Sequence, residues 1–486
     1  MKKINIFLVG ILLIGFSACK KDFLDVPPTN QADASTSIQT LADARVMMTG
    51  LMRNMTSSNY YGRNFILYGD ARGGDLAVYS MGRGLDGLYS FNHSATVCTY
   101  SSFWSSIYNN ILQANNLIAN IEKLQASGAV GDFNNVLGQA LTARAMMYFD
   151  LVRLYGKPYT MDKNALGVPD VITRLDASAQ PLRATVEDNY KRIMKDLTDA
   201  APLLLKSKTN GYINFYANAA MQARVNLYMG KNTEALLAAQ TVINAASLYS
   251  LYSNSNWVSS WASSFGSESI FELAMHPNEG DLGNGSLSMY LRRRAHGNSN
   301  ALGYFVASDY FLNRLQQDPA DVRWGVMAYD EISTSHLGAS YKHSGNVALA
   351  GDGKGTSTAV NVKVIRLSEI YLIAAEAALP TDLPLAVSYL NKIRQRSPNL
   401  LPATIATISI DMILDERSKE LFTEGHRFFD MMRLNKSITF NDDLGGVPIS
   451  SRPKTIDRTF YKTILPIGQD EINANPGIKA QQNPEY

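Results

Sequence analysis

Residues Asp411 to Asn435 read DMILDERSKELFTEGHRFFDMMRLN. Ile413, Leu414, Leu421 and Phe422 recur at helical spacing, so the first half predicts one amphipathic helix. Glu416, Glu420 and Glu424 fall on one stripe at successive i,i+4 steps, where like charges repel. Bases must therefore come from elsewhere, and Arg427 and Arg433 in the next segment are the nearby candidates. Gly425 can end the helix in a left-handed cap. Phe428, Phe429, Met431 and Met432 then supply a second apolar segment. The stretch predicts a helical hairpin clamped by buried or half-buried ion pairs. The competing reading is a carboxylate cluster for acid–base work or metal binding. Metal-ligand Glu on bundle helices usually comes as Glu-x-x-His; here Glu424 and His426 are only two apart, so that pattern fails.

Helix pairs recur upstream. Tyr216 to Met229 packs Ala219, Ala220 and Ala223, Gly230 caps it, and Asn232 opens a partner helix through Ala246. Small residues, a Gly turn and a second helix follow tetratricopeptide-type logic. A second instance is Leu367 to Leu379, a turn at Pro380 to Pro384, then helix to Arg394. Phe103 to Ile121 with Leu137 to Tyr155 gives a third, and the opening hairpin a fourth. Leu137 to Tyr155 is apolar on most sides, which predicts burial, and stops at Gly156 and Pro158. Ile38 to Met52 and Thr185 to Leu205 are further helices. Between the 216–246 and 367–394 pairs lies Leu248 to Val364, too long for a plain connection. Within it Glu268 to Ala274 alternates like a strand. Asn278 to Gly303 is rich in Gly, Asn and Ser and carries Tyr290 and Arg292, Arg293 and Arg294. Loops on a rigid scaffold are where function usually sits.

The chain has 486 residues, with 45 Lys and Arg against 43 Asp and Glu. That balance leaves no nucleic-acid footprint. There are 25 Tyr but 4 Trp, and 2 Cys. Cys19 follows Lys2, Lys3, an apolar run from Ile4 to Phe16, and Ser17-Ala18. Residues 1–18 read as a signal peptide, since the run is shorter than the ~20 residues a membrane span needs. Phe16-Ser17-Ala18-Cys19 fits a bacterial lipobox, with cleavage before Cys19 and acylation on it; an ordinary signal peptide cut nearby is the alternative. Acyl chains would anchor the protein at about 0.8 kcal/mol per buried CH₂. Cleavage leaves only Cys98, so no intramolecular disulfide forms and the core alone stabilises the fold. Residues 19–36 carry Pro27-Pro28 and read as a stiff tether. Asp22 and Asp25 resemble an acidic surface-export signal.

Catalytic motifs are absent from the sequence. Gly82 to Gly87 matches G-x-G-x-x-G, but LYSFNHSAT follows where a nucleotide fold needs a helix. Gly353-Lys354-Gly355 lacks the Ser or Thr of a phosphate loop. There is no H-E-x-x-H and no G-x-S-x-G, and the six His show no ligand spacing. A glycosidase needs only two carboxylates a few ångströms apart, and nothing signals them. Sugar rings lay apolar C–H faces on Trp or Tyr, while Arg, Asn and Asp hold hydroxyls. The candidates of that type are Arg72, Asp75, Tyr79, Arg83 and Tyr89 in the first loop region, and Tyr290, Arg293 and Tyr304 in the second. Tyr79 to Asn92 contains no Trp, which argues against a Trp platform there. Trp104 sits on a helix and belongs to the core; Trp257 and Trp261 flank a turn.

ERSKELFTEGHRFFDMMRL and the terminal LPIGQDEINANPGIKAQQNPEY resemble the C-terminal signature of the SusD/RagB family of surface nutrient-binding lipoproteins. KDFLDVPPT, FWSSIYNNILQANNLIANI, LTARAMMYFDLVRLYGKP, ANAAMQARVNLYMGKNTEALLAAQTVI, ESIFELAM, IRLSEIYLIAAEAAL and LNKIRQR are similar to family blocks in the expected order, over nearly the whole mature chain. The resemblance implies a mostly α fold of four tetratricopeptide-like helix pairs with large loop-rich insertions. It implies one domain over 37–486, with an N-terminal portion at about 37–247 and a C-terminal portion at about 248–486. It further implies a non-enzymatic lipoprotein of the outer membrane, facing outward, without cofactor or metal. Such a protein captures oligosaccharides or peptides and hands them to a SusC-like TonB-dependent transporter. The triple Arg suits anionic sugars or peptide carboxylates through bidentate pairing, or contacts with the transporter or lipid headgroups. A surface glycoside hydrolase and a pure helical scaffold are the alternatives.

Overall fold

The computed structural model describes residues 38–82, 85–97, 102–176, 178–275, 285–294, 301–343, 361–446 and 448–486. The signal peptide, lipobox, tether, Cys98, Arg83 and the Gly353 motif lie outside the described residues. The first half carries α1 (Leu41–Met55), α2 (Asn64–Ala71), β1 (Leu76–Val78), α3 (Ser102–Ala126), α4 (Asn134–Tyr155), α5 (Val186–Ala200), α6 (Phe215–Tyr228) and α7 (Asn232–Ile243). The second carries β2 (Ser269–Leu273), β3 (Phe305–Ala307), β4 (Val362–Arg366), α8 (Leu367–Ala378), α9 (Leu383–Arg394), α10 (Ile410–Glu420) and α11 (Arg427–Arg433).

Local chemistry sets the helix starts. The Thr40 hydroxyl accepts from the Asp43 N–H while the Asp43 carboxylate accepts from the Thr40 N–H. This reciprocal cap satisfies two donors that have no helical partner. The Asn214 carbonyl likewise accepts from the Ala217 N–H at 2.9 Å to open α6. Buried Ala217, Ala220 and Ala223 then let the neighbours of α6 approach closely. α4 is buried along nearly its whole length, as its apolar circumference requires.

The helices stack as pairs: α1 on α3, α4 on α5, α6 on α7 and α8 on α9. α3–α4, α5–α6 and α7–α8 contacts join one pair to the next. The sequence reading coupled α3 with α4 and took the 411–435 hairpin as the fourth pair. α3 and α4 do touch, but α4 packs more extensively on α5, and α3 takes α1. The 411–435 segment is not a repeat, because α10 packs on α8 and α9 while α11 packs on α2. Strand β2 forms where the alternation predicts, and pairs antiparallel with β4, which runs directly into α8. Arg224 of α6 ties that junction to the helix stack. It bonds Glu369 at 2.7 Å and the Val364 carbonyl at 3.0 Å.

The helix of the 411–435 segment ends at Glu420, a full turn before the expected cap. The chain then turns through Thr423 (φ +62°) and Gly425 (φ +85°) into α11. A Cβ on Gly69 of α2 would collide with the Gly425 carbonyl, so α2 and this turn meet backbone to backbone. Glu424 therefore joins the carboxylate stripe through the turn, not by helical periodicity.

The stripe is neutralised by bases from distant elements. Arg366, at the end of β4, bonds Glu424 at 2.7 Å, Glu268 at 2.9 Å and Glu420 at 3.2 Å. Arg396 reaches Glu268 at 2.9 Å and Lys342 reaches Glu424 at 2.6 Å. Arg323 binds Glu416 at 2.7 Å and Asp321 at 2.6 Å, and Lys419 adds to Glu416 at 3.2 Å. All ten side chains are buried, five acids with five bases. Burial would raise the Glu424 pKa, but Arg366 and Lys342 hold it well below the usual carboxylate range. The expected partners lie elsewhere: Arg427 stands 3.5 Å from Asp75, and Arg433 pairs with Asp430 and Glu376. The turn after Glu420 points α11 away from the stripe.

The C-terminal segment is laced onto the first half. Leu465 N–H donates to the Leu154 carbonyl, and Arg183 donates to the Gln481 carbonyl. Asn483 donates to the Tyr155 carbonyl, and His93 meets the Tyr486 hydroxyl at 2.7 Å.

Replacing Arg366 with Met leaves Glu268, Glu420 and Glu424 facing one another with too few cations. We expect a loss of about 3–5 kcal/mol in chemical denaturation, the range for one partner removed from a buried pair. A second expectation concerns Asp70, which accepts from the Gly425 N–H at 2.6 Å. Burial raises its pKa to about 8 despite that bond. A raised folded-state pKa gives stability that is complete below the unfolded value near 3.8 and is lost as pH rises through about 8. The slope is at most about 1.4 kcal/mol per pH unit. Asp70→Asn keeps the acceptor and removes the titration. Relative to wild type, it gains stability between pH 5 and 8 in urea unfolding; a pH-independent difference refutes this.

Candidate ligand-binding surface

Pairing of β1 with β3 brings the two loop regions together. Leu76, Ala77 and Val78 lie opposite Ala307, Val306 and Phe305. Beyond this ladder, Tyr79 N–H donates to the Tyr304 carbonyl at 3.2 Å, and Tyr304 N–H to the Tyr290 carbonyl at 3.0 Å. Three of the tyrosines picked from sequence thus sit on adjacent strands of chain. Their exposures differ: Tyr79 is 38% exposed, Tyr290 8% and Tyr304 0%. Tyr290 and Tyr304 pack edge to face at 6.4 Å between centroids. The Arg63 guanidinium lies 5.0 Å from the Tyr290 ring centre and donates to the Gly285 carbonyl.

Arg293 is half-buried, with its guanidinium 4.0 Å over the Tyr329 ring. Its neighbour Arg292 is fully buried. Tyr329 follows a two-residue strand (327–328) paired with 339–340. The Ala307 N–H donates to the Gly338 carbonyl, which docks this hairpin on β3. Within the hairpin His336 bridges Asp330 and Asp309, and its hydrogen bond to Asp330 raises its pKa. The loop 441–446 closes the far side. Asn441 donates to Asp309 at 2.8 Å, and a Cβ on Gly445 would strike the Val78 carbonyl. Among the described residues, the accessible planar groups here include Tyr79, the Arg293–Tyr329 stack and Arg63.

The remaining candidates serve the framework. Arg72 is 0% exposed, with its guanidinium 3.6 Å from the Phe91 ring centre and 4.5 Å from that of Tyr68. It donates to the Lys462 carbonyl at 2.6 Å; the rings offset charge that, among the described residues, no carboxylate meets. Asp75 is buried against Arg314, Ser418 and Arg427. Tyr89 is 2% exposed, donates to Asp442 at 2.9 Å and lies under Arg452. In this conformation Arg72, Asp75, Tyr89 and Tyr304 are out of reach of a ligand, because they tie the 72–89 segment to the C-terminal half. Arg83 lies outside the described residues. A short helix, Asp86–Ser90, does follow the glycine-rich run, contrary to the sequence reading, but at five residues it is little over one turn. Trp257 and Trp261 are 1% and 2% exposed and pack at 5.7 Å between centroids, so neither is a platform. Arg63 and Tyr329 were missed because nothing in sequence separates them from ordinary loop residues.

A helical scaffold that presents tyrosine and arginine planes on its loops is built to bind. Residues 324–486 match the model of the SusD family, and residues 22–227 match a model described as starch-binding associating with outer membrane. A SusD superfamily protein from Bacteroides thetaiotaomicron is 33% identical, with a TM-score of 0.83 over 92% of this chain and 100% of its own. A putative sugar binding protein from Bacteroides vulgatus is 31% identical, with a TM-score of 0.82 over 93% and 100%. SusD-like protein P2 of Formosa agariphila is 26% identical and aligned over 100% of both chains. A laminarin binding SusD-like protein shares the fold at 22% identity and a TM-score of 0.71, covering 92% of this chain and 100% of its own. The chain belongs to the SusD family. That family is non-catalytic, binds carbohydrate and associates with the outer membrane. Among the described residues no helix is long and apolar enough to cross a membrane.

The split between presented and buried tyrosines has a direct readout. Tyr79→Ala should change stability by no more than about 0.5 kcal/mol, as for an exposed side chain. Tyr304→Ala should cost about 3 kcal/mol or more through the cavity it leaves. Equal denaturation midpoints for the two variants would reverse the assignment.

Proposed function

We propose that this protein captures oligosaccharides at the cell surface and passes them to a SusC-like TonB-dependent transporter. Acylated Cys19 anchors it to the outer membrane, facing outward. The β1–β3 ladder carries this reading, because beyond it exposed Tyr79 bonds Tyr304 and Tyr304 bonds Tyr290, while Arg63 lies over the Tyr290 ring and Arg293 over that of Tyr329. A tyrosine face takes the apolar side of a sugar ring. The two guanidiniums donate to hydroxyls or to the carboxylate of an acidic sugar. The 31% identical protein described as a putative sugar binding protein supports carbohydrate as the ligand class, and peptides are the competing cargo. The helix pairs stand behind the loops and are available for the transporter.

Calorimetric titration of the anchored full chain in detergent, against pooled oligosaccharides and pooled peptides, tests this. Mass spectrometry of each ligand afterwards checks that it is intact. Oligosaccharide binding is expected, weakened about tenfold in Tyr79→Ala and in Arg293→Ala. Peptide binding alone would change the cargo, and cleaved ligand would overturn the capture mechanism.

A further inference from the structure

A second cleft opens between the start of α3 and the C-terminal segment. It is lined by Ser94 to Thr96, Ser102, Trp104, Ser105, Tyr155, Leu465, Pro466 and Gly468 to Glu471, and has a volume of about 440 Å³. It shares no lining residue with the surface described above. Its volume falls within the roughly 300–1,000 Å³ of small-molecule sites. The chain between Val97 and Ser102 lies outside the described residues.

The walls are fastened to each other. Gln469 N–H donates to the Ala95 carbonyl at 2.8 Å, and the Trp104 indole N–H donates to Glu471 at 3.0 Å. Trp104 is itself held edge-on by Tyr155 at 4.9 Å and tilted against Tyr108 at 5.1 Å. Trp104 and Tyr155 line the cleft at 8% and 2% exposure, so they close its floor with a small apolar area, and the Glu471 carboxylate is fixed beside it. Asp470, Thr96 and Ser105 are exposed at the rim. Among the described residues no Lys or Arg lines the cleft. Among the described residues neither Asp470 nor Glu471 has an ion-pair partner.

Two carboxylates without cations, several hydroxyls and an apolar floor accept one kind of guest well. Carboxylates are strong acceptors for hydroxyl donors, and serine and threonine both donate and accept. A carboxylate-bearing sugar would meet like charge in a partly desolvated site. We propose that this cleft is a second saccharide site, selective for a neutral sugar unit whose hydroxyls donate to Glu471 and Asp470 above the Trp104–Tyr155 floor. The cleft would hold part of a glycan away from the Tyr79 surface, giving two contacts on one chain.

Saturation-transfer NMR on the anchored full chain in detergent tests this, with cellobiose, maltose, laminaribiose and mannobiose as neutral probes and digalacturonate as the acidic one. The cleft is read in the Tyr79→Ala background, which removes the main contact of the other surface and leaves the cleft untouched; there at least one neutral disaccharide should still receive saturation. Glu471→Gln keeps an acceptor for the Trp104 N–H but removes the charge, and should weaken that signal about tenfold. Ser105→Trp, at an exposed position, should abolish it by filling the cleft. Unshifted thermal midpoints would show that both variants fold. The proposal falls if none of the four neutral probes receives saturation, if both cleft variants bind as wild type does, or if digalacturonate binds there as well as they do. A signal lost in Tyr79→Ala and kept in the cleft variants would likewise reject the cleft while upholding the Tyr79 surface.

Discussion

Arg366 faces Glu268, Glu420 and Glu424 in a space that water does not reach. Removing such charges from water is expensive, and Coulomb attraction offsets it only when the geometry is good and every charge is met. The network is therefore a constraint on position more than a source of stability. It fixes the end of β4, the residue before β2, and both the last turn of α10 and the turn that follows. The charge that neutralises Glu424 from the other side is Lys342, which also donates to the Glu420 and Phe422 carbonyls. Lys342 lies just past the strand that pairs with the one preceding Tyr329. The 327–340 hairpin is thus tethered at its root to the most over-determined point of the core.

Aromatic side chains divide by the company they keep. Tyr60 and Tyr61 both donate to Asp150, with Arg153 on that same carboxylate. Arg72 sits in a cage of rings. These tyrosines use their hydroxyls inward, and burial raises the pKa of Tyr60, Tyr61 and Tyr89. Tyr79, by contrast, is open to solvent, with its backbone at the edge of a short ladder. The two-stranded sheets act as hinges of shape: each is too small to build a core, yet each pins a loop to the helix stack.

The helical part of the fold was legible because its signals are local. Small alanines in α6, Gly230, the apolar circumference of α4 and the alternation of β2 all appear within a few residues. The 411–435 stripe was legible as a charge problem, and the need for outside bases followed from repulsion alone. The identity of those bases was not legible, because Arg323, Lys342, Arg366 and Arg396 are brought in by tertiary packing over long separations. The same gap explains the site. Residue type picked Tyr79 and Tyr290 together with Tyr89 and Tyr304, but exposure depends on the β1–β3 register and on what Asp442 and Arg452 cover. Arg63 and Tyr329 have no marker in sequence, since each gains its role from a ring or a guanidinium far along the chain.

The stitching of residues 465–486 onto α4 and the 93 and 183 regions bears on the order of assembly. Arg183, Leu154, Tyr155 and His93 find their partners from 298 to 393 residues downstream. Closing such loops costs entropy before any contact repays it. The amino-terminal helices therefore wait, incompletely covered, until the carboxy-terminal segment has been synthesised. For an exported chain that interval falls across membrane translocation, and it marks the stage at which a holding chaperone would have apolar surface to grip.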